Sequence, residues 1–327
     1  MPPTTPVPVL ILASRGARGS YLSSLLGAHP ELFGAPHLNV LAFETGQQHQ
    51  EYCAVPRDSG YHGILRCLGY LLTGEQTVQS VQTARRWLGQ RIERTGAEIH
   101  AEIRSLVQPC RLVDYSPHYA LYPEAMRRVA DAVPEAPIIH LVASPETQAR
   151  TLSPAVWQTL NASMGYWNER GLNHPCMDVV EIGDHLVDWS VSPPVFDPQF
   201  AWHRTQKAAI ALFDDLPDTR CLRICTEDLT RAPAEVLTQI LTFLGCAADP
   251  AMIEAMIAKP DMTFAHVGPF DAASGVDFDL LTRDPSAPPL DSKEITEGRP
   301  LEWRSDEDVL LPELIELAVS LGYTVKR

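Results

Sequence analysis

Hydrophobic and polar positions along the chain fall into a repeating order. Residues 8–13 (PVLILA) form a short, continuous apolar run, the pattern of a strand buried on both faces of a parallel sheet. Small and polar residues follow at once (SRGARGS, 14–20). Then comes YLSSLLGAHP, whose Leu22, Leu25 and Leu26 share one side and predict a helix over about 20–28. The same order of strand, polar loop and helix recurs twice, with RLVDYSP at 111–117 leading into YPEAMRRVADAV and PIIHLVAS at 137–144 leading into PETQARTLS. A fourth strand is predicted at 219–225, before TEDLTRAPAEVLTQILTFLG, whose Gly245 stands where a helix C-terminal glycine belongs. Apolar strands alternating with amphipathic helices predict an α/β fold with a central parallel sheet flanked by helices.

Between the first two units lies a long insertion, about 45–105. Within it, residues 75–103 support one or two helices through the spacing of Val78, Val81, Trp87, Leu88 and Ile92, and the insertion is expected to form a helical cap. Residues 154–196 carry Trp157, Trp167, Trp189 and a turn-rich VSPPVFDP stretch without a strong period; a helix is predicted at about 200–213. Residues 259–300, rich in Pro, Asp and Gly, read as a long loop or lid, and a last helix is predicted over 310–321. With no internal repeat and no low-complexity linker, the expectation is one domain over 1–327.

Composition narrows the chemistry. The 327 residues are 45% hydrophobic and 20% charged, and 26 basic against 41 acidic side chains leave a net charge of −15. An acidic chain is a poor general nucleic-acid binder, so any anionic ligand must be held by local groups. No apolar run approaches the roughly 18 residues of a membrane span and no basic n-region opens the chain, which predicts a cytoplasmic protein with no membrane partner. The seven cysteines are scattered and lack paired CxxC spacing, and the eleven histidines form neither HxH nor HExxH. Reduced thiols and no metal are expected; Cys221 and Cys225, at either end of CLRIC, read as core packing.

A loop between a buried parallel strand and a helix aims successive backbone N–H groups at one point, a ready anion site. Ser14, Arg15, Gly16, Ala17, Arg18, Gly19 and Ser20 suit that task. The two glycines permit close approach of a ligand, the serines offer hydroxyls and the arginines offer charge. The loop is not a Walker A motif, since it contains no lysine and no GK[ST] ending. The plainer alternative is that the glycines only turn the chain.

The segment PVLILASRGARGSYLSSLLGAHPELFGAP resembles the phosphosulfate-binding segment of sulfotransferases, in which a strand, a PRSGT-type loop and a helix ending in AHP are typical. LVDYSPHYALYPEAMRRVADAVPEAPIIHLVASP, FAWHRTQKAAIALFDDLP and RCLRICTEDLTRAPAEVLTQILTFLG agree in order and spacing, the last resembling the family's RYEDL segment. The matches cover about half the chain and are most similar to sulfotransferase domains of polyketide assembly lines. This resemblance implies a three-layer P-loop-like fold. It also implies transfer of a sulfuryl group from 3′-phosphoadenosine 5′-phosphosulfate (PAPS) to a hydroxyl of a natural-product or polyketide-like acceptor, free or tethered to a carrier protein. It places the donor on Ser14, Arg15, Gly16, Ala17, Arg18, Gly19, Ser20, Tyr21, Ser144, Thr151, Trp202 and Arg204.

The departures from the family are chemical. Gly16 falls at the family's loop cation, Tyr115 at the lysine of its Asp-Lys-Ser-Pro run, and Ala143 at the arginine of LVRHP that binds the donor's 3′-phosphate; Thr151 stands at a serine. Three positive charges are thus removed from the donor side, and one lost transition-state contact costs ~10²–10³ in rate. Arg15, Arg18, Arg150 and Arg204 are the candidate substitutes. APHLNVLAF puts His37 at the family's glutamate base, where an imidazole titrating near ~6.5 would accept a proton. His118, at the carboxyl edge of the second predicted strand, and His266, near the family's lid histidine, are further catalytic candidates, as is the Tyr115 phenol. Two other readings stand beside the PAPS enzyme: a repurposed member that performs acid/base cyclisation, elimination or hydrolysis without PAPS, and a binding module without catalysis.

Overall fold

The apolar run at 8–13 becomes the middle strand of the sheet. The computed structural model describes residues 5–53, 60–120, 123–151, 187–188, 195–196, 198–271, 293–301 and 309–326. In chain order the strands are β1 (Val9–Leu12), β2 (Leu32–Ala35), β3 (Arg111–Tyr115), β4 (Ile138–Val142), the two-residue β5 (Val187–Asp188) and β6 (Val195–Phe196) of a short hairpin, β7 (Cys221–Cys225), and a small parallel pair, β8 (Glu294–Thr296) with β9 (Thr324–Lys326). The main sheet runs β2-β3-β1-β4-β7 and every pairing in it is parallel.

The helices are α1 (Gly19–Gly27), α2 (Gly46–Cys53), α3 (Tyr61–Thr73), α4 (Val78–Gly89), α5 (Gly96–Leu106), α6 (Pro123–Ala132), α7 (Pro145–Thr151), α8 (Pro198–Asp214), α9 (Thr226–Arg231), α10 (Pro233–Leu244), α11 (Pro250–Ala258) and α12 (Pro312–Ser320). Alternation along β1 sorts them into layers. Val9, Ile11 and Ala13 pack with Leu22, Leu25 and Leu26 of α1 and Leu237 and Leu241 of α10. Leu10 and Leu12 pack with Ile64 and Leu68 of α3, Val81 of α4, Ile99 of α5 and Met126 of α6. A third cluster joins Val142 and Trp202 to Leu314 of α12 and to Ile295 and Tyr323 of the small strand pair. The result is the three-layer architecture expected from the sequence.

Residues 75–103 resolve into two helices, α4 and α5, each opened by a threonine capping box, Thr77 with Ser80 and Thr95 with Glu98. The stretch after β7 is also two helices, because Pro233 cannot continue α9 and Ala232 leaves the helical region at φ −135°. Gly245 closes α10 in the left-handed conformation at φ 68°. β2 has no counterpart among the predicted strands. It is four residues long and contains Gly34, where a Cβ would stand 2.5 Å from the Ser23 carbonyl oxygen of α1. Trp157, Trp167 and Trp189, and the middle of the 259–300 loop, lie outside the described residues.

Candidate active site

β1 is flanked by β3 on one side and β4 on the other, so the chain winds away in both directions from its carboxyl end. Ligands of open α/β sheets bind at such a switch point. The loop leaving β1 is pinned on several sides. Ser14 Oγ donates to Gln148 Oε1 of α7 at 2.5 Å, the Ala17 carbonyl accepts from Thr226 Oγ1 of α9 at 2.9 Å, and Arg18 donates to Thr230 Oγ1 at 3.1 Å. Gly16 is left-handed at φ 90° and Arg18 at φ 60°, which turns the chain sharply into α1. Arg18 occupies the N-cap position without capping the helix through its side chain. Its guanidinium faces α9, whereas the charge of Arg15 acts on His37.

The first turn of α1 carries the second half of the site. Ser20 Oγ and His37 Nε2 lie 3.0 Å apart, and the His37 ring meets the edge of the buried Tyr115 ring at a centroid distance of 5.1 Å. A Cβ on Gly19 would come within 2.3–2.5 Å of the Tyr115 ring, so the glycine is what lets the phenol lie over the start of the helix. Burial pushes the His37 imidazole down to about 3, and the charges of Arg15, His118 and Arg66 add to the shift. The expectation of a base titrating near ~6.5 is corrected accordingly: His37 is neutral throughout the physiological range because burial disfavours its charged form, with the arginine charges adding to the effect.

Arg66, absent from the sequence reading, is buried on α3 in the middle of the apolar run ILRCLGYLL. It donates to Gln76 Oε1 at 3.0 Å and to the Phe264 carbonyl at 3.2 Å, and burial lowers it to about 10, still charged at neutral pH. A lone arginine inside such a run was the available signal. The strap 261–268 thereby lies over this part of the site, tied also by Asp261 N–H to the Ser24 carbonyl at 2.9 Å. His266 on that strap is exposed.

The other predicted donor residues are held in a different way. Ser144 begins α7: its Oγ accepts from Thr147 N–H at 3.0 Å and donates to Thr147 Oγ1 at 2.8 Å, and its own N–H is taken by the buried Glu227 carboxylate at 2.8 Å. Burial raises the Glu227 carboxyl. Ala143 is fully buried and its carbonyl accepts from Trp202 Nε1 at 2.7 Å. Arg204 is buried on α8; Arg150 and Thr151 form the last turn of α7, and their side chains lie outside the described residues. Of the groups that a PAPS molecule would meet at its phosphosulfate end, Arg15, Gly16 and the helix start are present, whereas the space at Gly19 is filled by the Tyr115 ring, so the expected close approach of a ligand at that glycine is corrected. At its 3′-phosphate end the expected cation is a methyl group and the adjacent N–H is spent on a carboxylate.

His118 completes the constellation from the 3₁₀ turn Pro117–Ala120. It is half-buried, packs against Phe43 at 5.9 Å between ring centroids, and is oriented by Asn39. Phe43 also lines a groove of about 960 Å³ between the start of α5, α6 and α8, which bears Arg127, Arg128 and Lys207 among apolar side chains. The cleft at His37 itself is much smaller and is lined by Ser20, Pro36 and Phe264. Among the described residues no group of His, Cys, Asp and Glu could hold a metal ion, and no helix is long and apolar enough to cross a membrane.

No protein-family model and no curated protein sequence matches the chain. Among solved structures it is similar to the sulfotransferase domain from the Synechococcus PCC 7002 olefin synthase, with a TM-score of 0.65 and 20% identity over 100% of this chain and 98% of that one. It is also similar to the sulfotransferase domain from the curacin biosynthetic pathway, with a TM-score of 0.69 and 19% identity over 99% and 100%. These end-to-end likenesses assign the sulfotransferase fold.

Proposed function

We propose that the protein transfers a sulfuryl group from PAPS to a hydroxyl of a natural-product acceptor, free or carried on a carrier protein, with His37 as the proton acceptor. One observation carries this reading: an imidazole kept neutral by burial, 3.0 Å from Ser20 Oγ in the first turn of α1, with the Arg15 charge acting on it. When bound, PAPS supplies the sulfuryl group. Arg15 and the N–H groups at the start of α1 hold its anionic oxygens, and the Tyr115 phenol offers a hydrogen-bond donor where the family has an ammonium. His37 takes the hydroxyl proton. An anion beside Arg15 and Arg66 offsets the charges that hold the imidazole down, so its basicity rises when a donor is bound.

A second reading is favoured by the Ser144–Glu227 hydrogen bond and the Ala143 methyl: acid/base chemistry by His37 and Tyr115 without PAPS. Calorimetric titration with 3′-phosphoadenosine 5′-phosphate separates the two. The first reading expects saturable binding that Arg15→Ala weakens roughly tenfold or more and Arg18→Ala weakens less. Absence of nucleotide binding by the unaltered protein would remove the PAPS reading, and turnover without a donor that still needs His37 would establish the second.

A further inference from the structure

Asp114, next to last in β3, carries a fully buried carboxylate. A charge in that setting is costly unless hydrogen bonds hold it. Ser116 Oγ donates to Oδ1 at 2.9 Å and Tyr119 OH donates to Oδ2 at 2.6 Å, both from fully buried residues. His100 of α5 is buried alongside, with Nε2 3.4 Å from Oδ2, but neither of its ring nitrogens has a hydrogen-bond partner among the described residues. The carboxylate is therefore held by two hydroxyls.

Each hydroxyl in turn accepts from the chain that follows His37. The Asn39 backbone N–H donates to Ser116 Oγ at 2.8 Å and the Leu41 backbone N–H donates to Tyr119 OH at 3.4 Å. A hydroxyl has one proton, and a backbone N–H can only donate. While Ser116 and Tyr119 accept from residues 39 and 41, their own protons need an acceptor, and an ionised carboxylate, which only accepts, takes both. Burial and the Asp114 charge keep the Tyr119 phenol protonated, as this direction requires. One side chain on β3 thus orients two backbone N–H groups just beyond His37.

The same strand end meets His37 from its other face. Successive residues of a strand point to opposite sides, so Tyr115, between Asp114 and Ser116, sets its ring against the His37 ring at 5.1 Å between centroids. The His37 backbone is seated on α3, where a Cβ on Gly63 would stand 2.0 Å from the His37 carbonyl oxygen. Asn39 is left-handed at φ 58°, and its side chain is tied to the Gly60 carbonyl at 2.9 Å. A left-handed backbone is unfavourable for a residue other than glycine and persists where its surroundings over-determine it.

We propose that Asp114 is a positioning residue: through Ser116 and Tyr119 it clamps the 39–41 turn and so fixes the His37 imidazole against Ser20 and Tyr115. This rests on the reading of His37 as the proton acceptor given above. Asp114 itself moves no proton and touches no reacting atom.

The test has a structural arm and a kinetic arm, so that a wrong substrate cannot be mistaken for a missing clamp. Asp114→Asn has nearly the same shape, but its amide nitrogen would donate to one of the two hydroxyls, whose own proton is then left without an acceptor. Ser116→Ala removes one relay and keeps the buried charge, which preserves the test should Asp114→Asn fold poorly; Ser116→Thr returns the hydroxyl. In NMR of the full chain without any ligand, the nuclear Overhauser contacts between the His37 and Tyr115 rings should weaken in Asp114→Asn and Ser116→Ala and return in Ser116→Thr. Turnover in the first two variants should fall about ten- to a hundredfold in kcat at nearly constant KM, the size of an ångström-scale misplacement. In a His37→Ala background the same substitutions should lower it no further, because a residue that acts through His37 has nothing left to position, whereas a general structural defect would reduce both backgrounds alike. Unchanged ring contacts in Asp114→Asn and Ser116→Ala, or equal losses with and without His37, would overturn the proposal. Weakened contacts together with no turnover on any sulfuryl donor would leave the clamp in place and count against the sulfuryl-transfer reading.

Discussion

At the scale of single residues, His37 gains its character from its neighbours. Burial, with the Arg15 and Arg66 charges adding to it, keeps His37 unprotonated, so it is always available as an acceptor yet weakly basic. An anion placed on those cations removes part of the repulsion that a proton would meet. NMR titration of His37 should thus show no protonation down to about pH 5 in the free protein and a clear upward move of its titration with sulfate or nucleotide bound. A titration indifferent to anions would separate His37 from the anion loop. Because a positioned acid or base contributes ~10²–10⁴ in rate, His37→Ala should lower kcat by that order while leaving nucleotide affinity unchanged, measured by turnover and calorimetry on the same preparation. Full turnover in that variant would move the proton elsewhere, with His118 next in line.

Among elements, the junction of β1, α1 and β3 determines whether the loop is an anion site. α1 begins at Gly19, and Tyr115, at the end of β3, lies directly over that residue. A methyl group there has to displace a buried ring and not a flexible chain end. Gly19→Ala should therefore cost about 1–3 kcal/mol in urea unfolding, the usual range for overpacking, and weaken nucleotide binding by disturbing the loop. In a Tyr115→Leu background the same substitution should cost less, since the atoms it meets are gone; equal costs in both backgrounds would show that the ring is not what the glycine serves. Arg18 and Thr226 act at the same scale, tying the loop to α9 across 212 and 209 residues of sequence.

Over the whole molecule, buried histidines couple stability to pH. His49 on α2 and His140 on β4 are both lowered to about 3, mainly by burial, with Arg223 adding to the effect at His140. His140 has both ring nitrogens engaged as a neutral ring, Nε2 donating to Gln206 Oε1 at 2.9 Å and Nδ1 accepting from Arg223 at 3.4 Å. In the unfolded chain such rings titrate near ~6.5. Between that value and about 3 the unfolded state binds more protons, so stability is complete above ~6.5 and declines as pH falls, by of order 1 kcal/mol per pH unit for each ring. The raised Glu227 carboxyl works in the opposite direction, but it is one group against the three rings of His37, His49 and His140. Urea midpoints measured near pH 7 and near pH 5 should therefore differ, the lower pH being less stable; equal midpoints would contradict the buried-neutral assignment. What local pattern carries at this scale is the sheet's main strands and the loop after β1. A strand buried on both faces must be apolar throughout, and a strand-to-helix turn near a ligand needs small residues, and both demands are written in neighbouring positions. β2, α3 and the roles of Arg66 and Asn39 are not written that way. β2 is a strand because β3 hydrogen-bonds to it and α1 leaves room only for glycine. Arg66 meets Phe264 across 198 residues and Asn39 meets His118 across 79, contacts that come into being only when the sheet brings their elements to one edge. The sequence by itself therefore determined the main strands and the glycine-bearing loop after β1, and the tertiary structure alone decided which distant side chains meet one another beside that loop, because charge and hydrogen bonding act through space whereas periodicity acts along the chain.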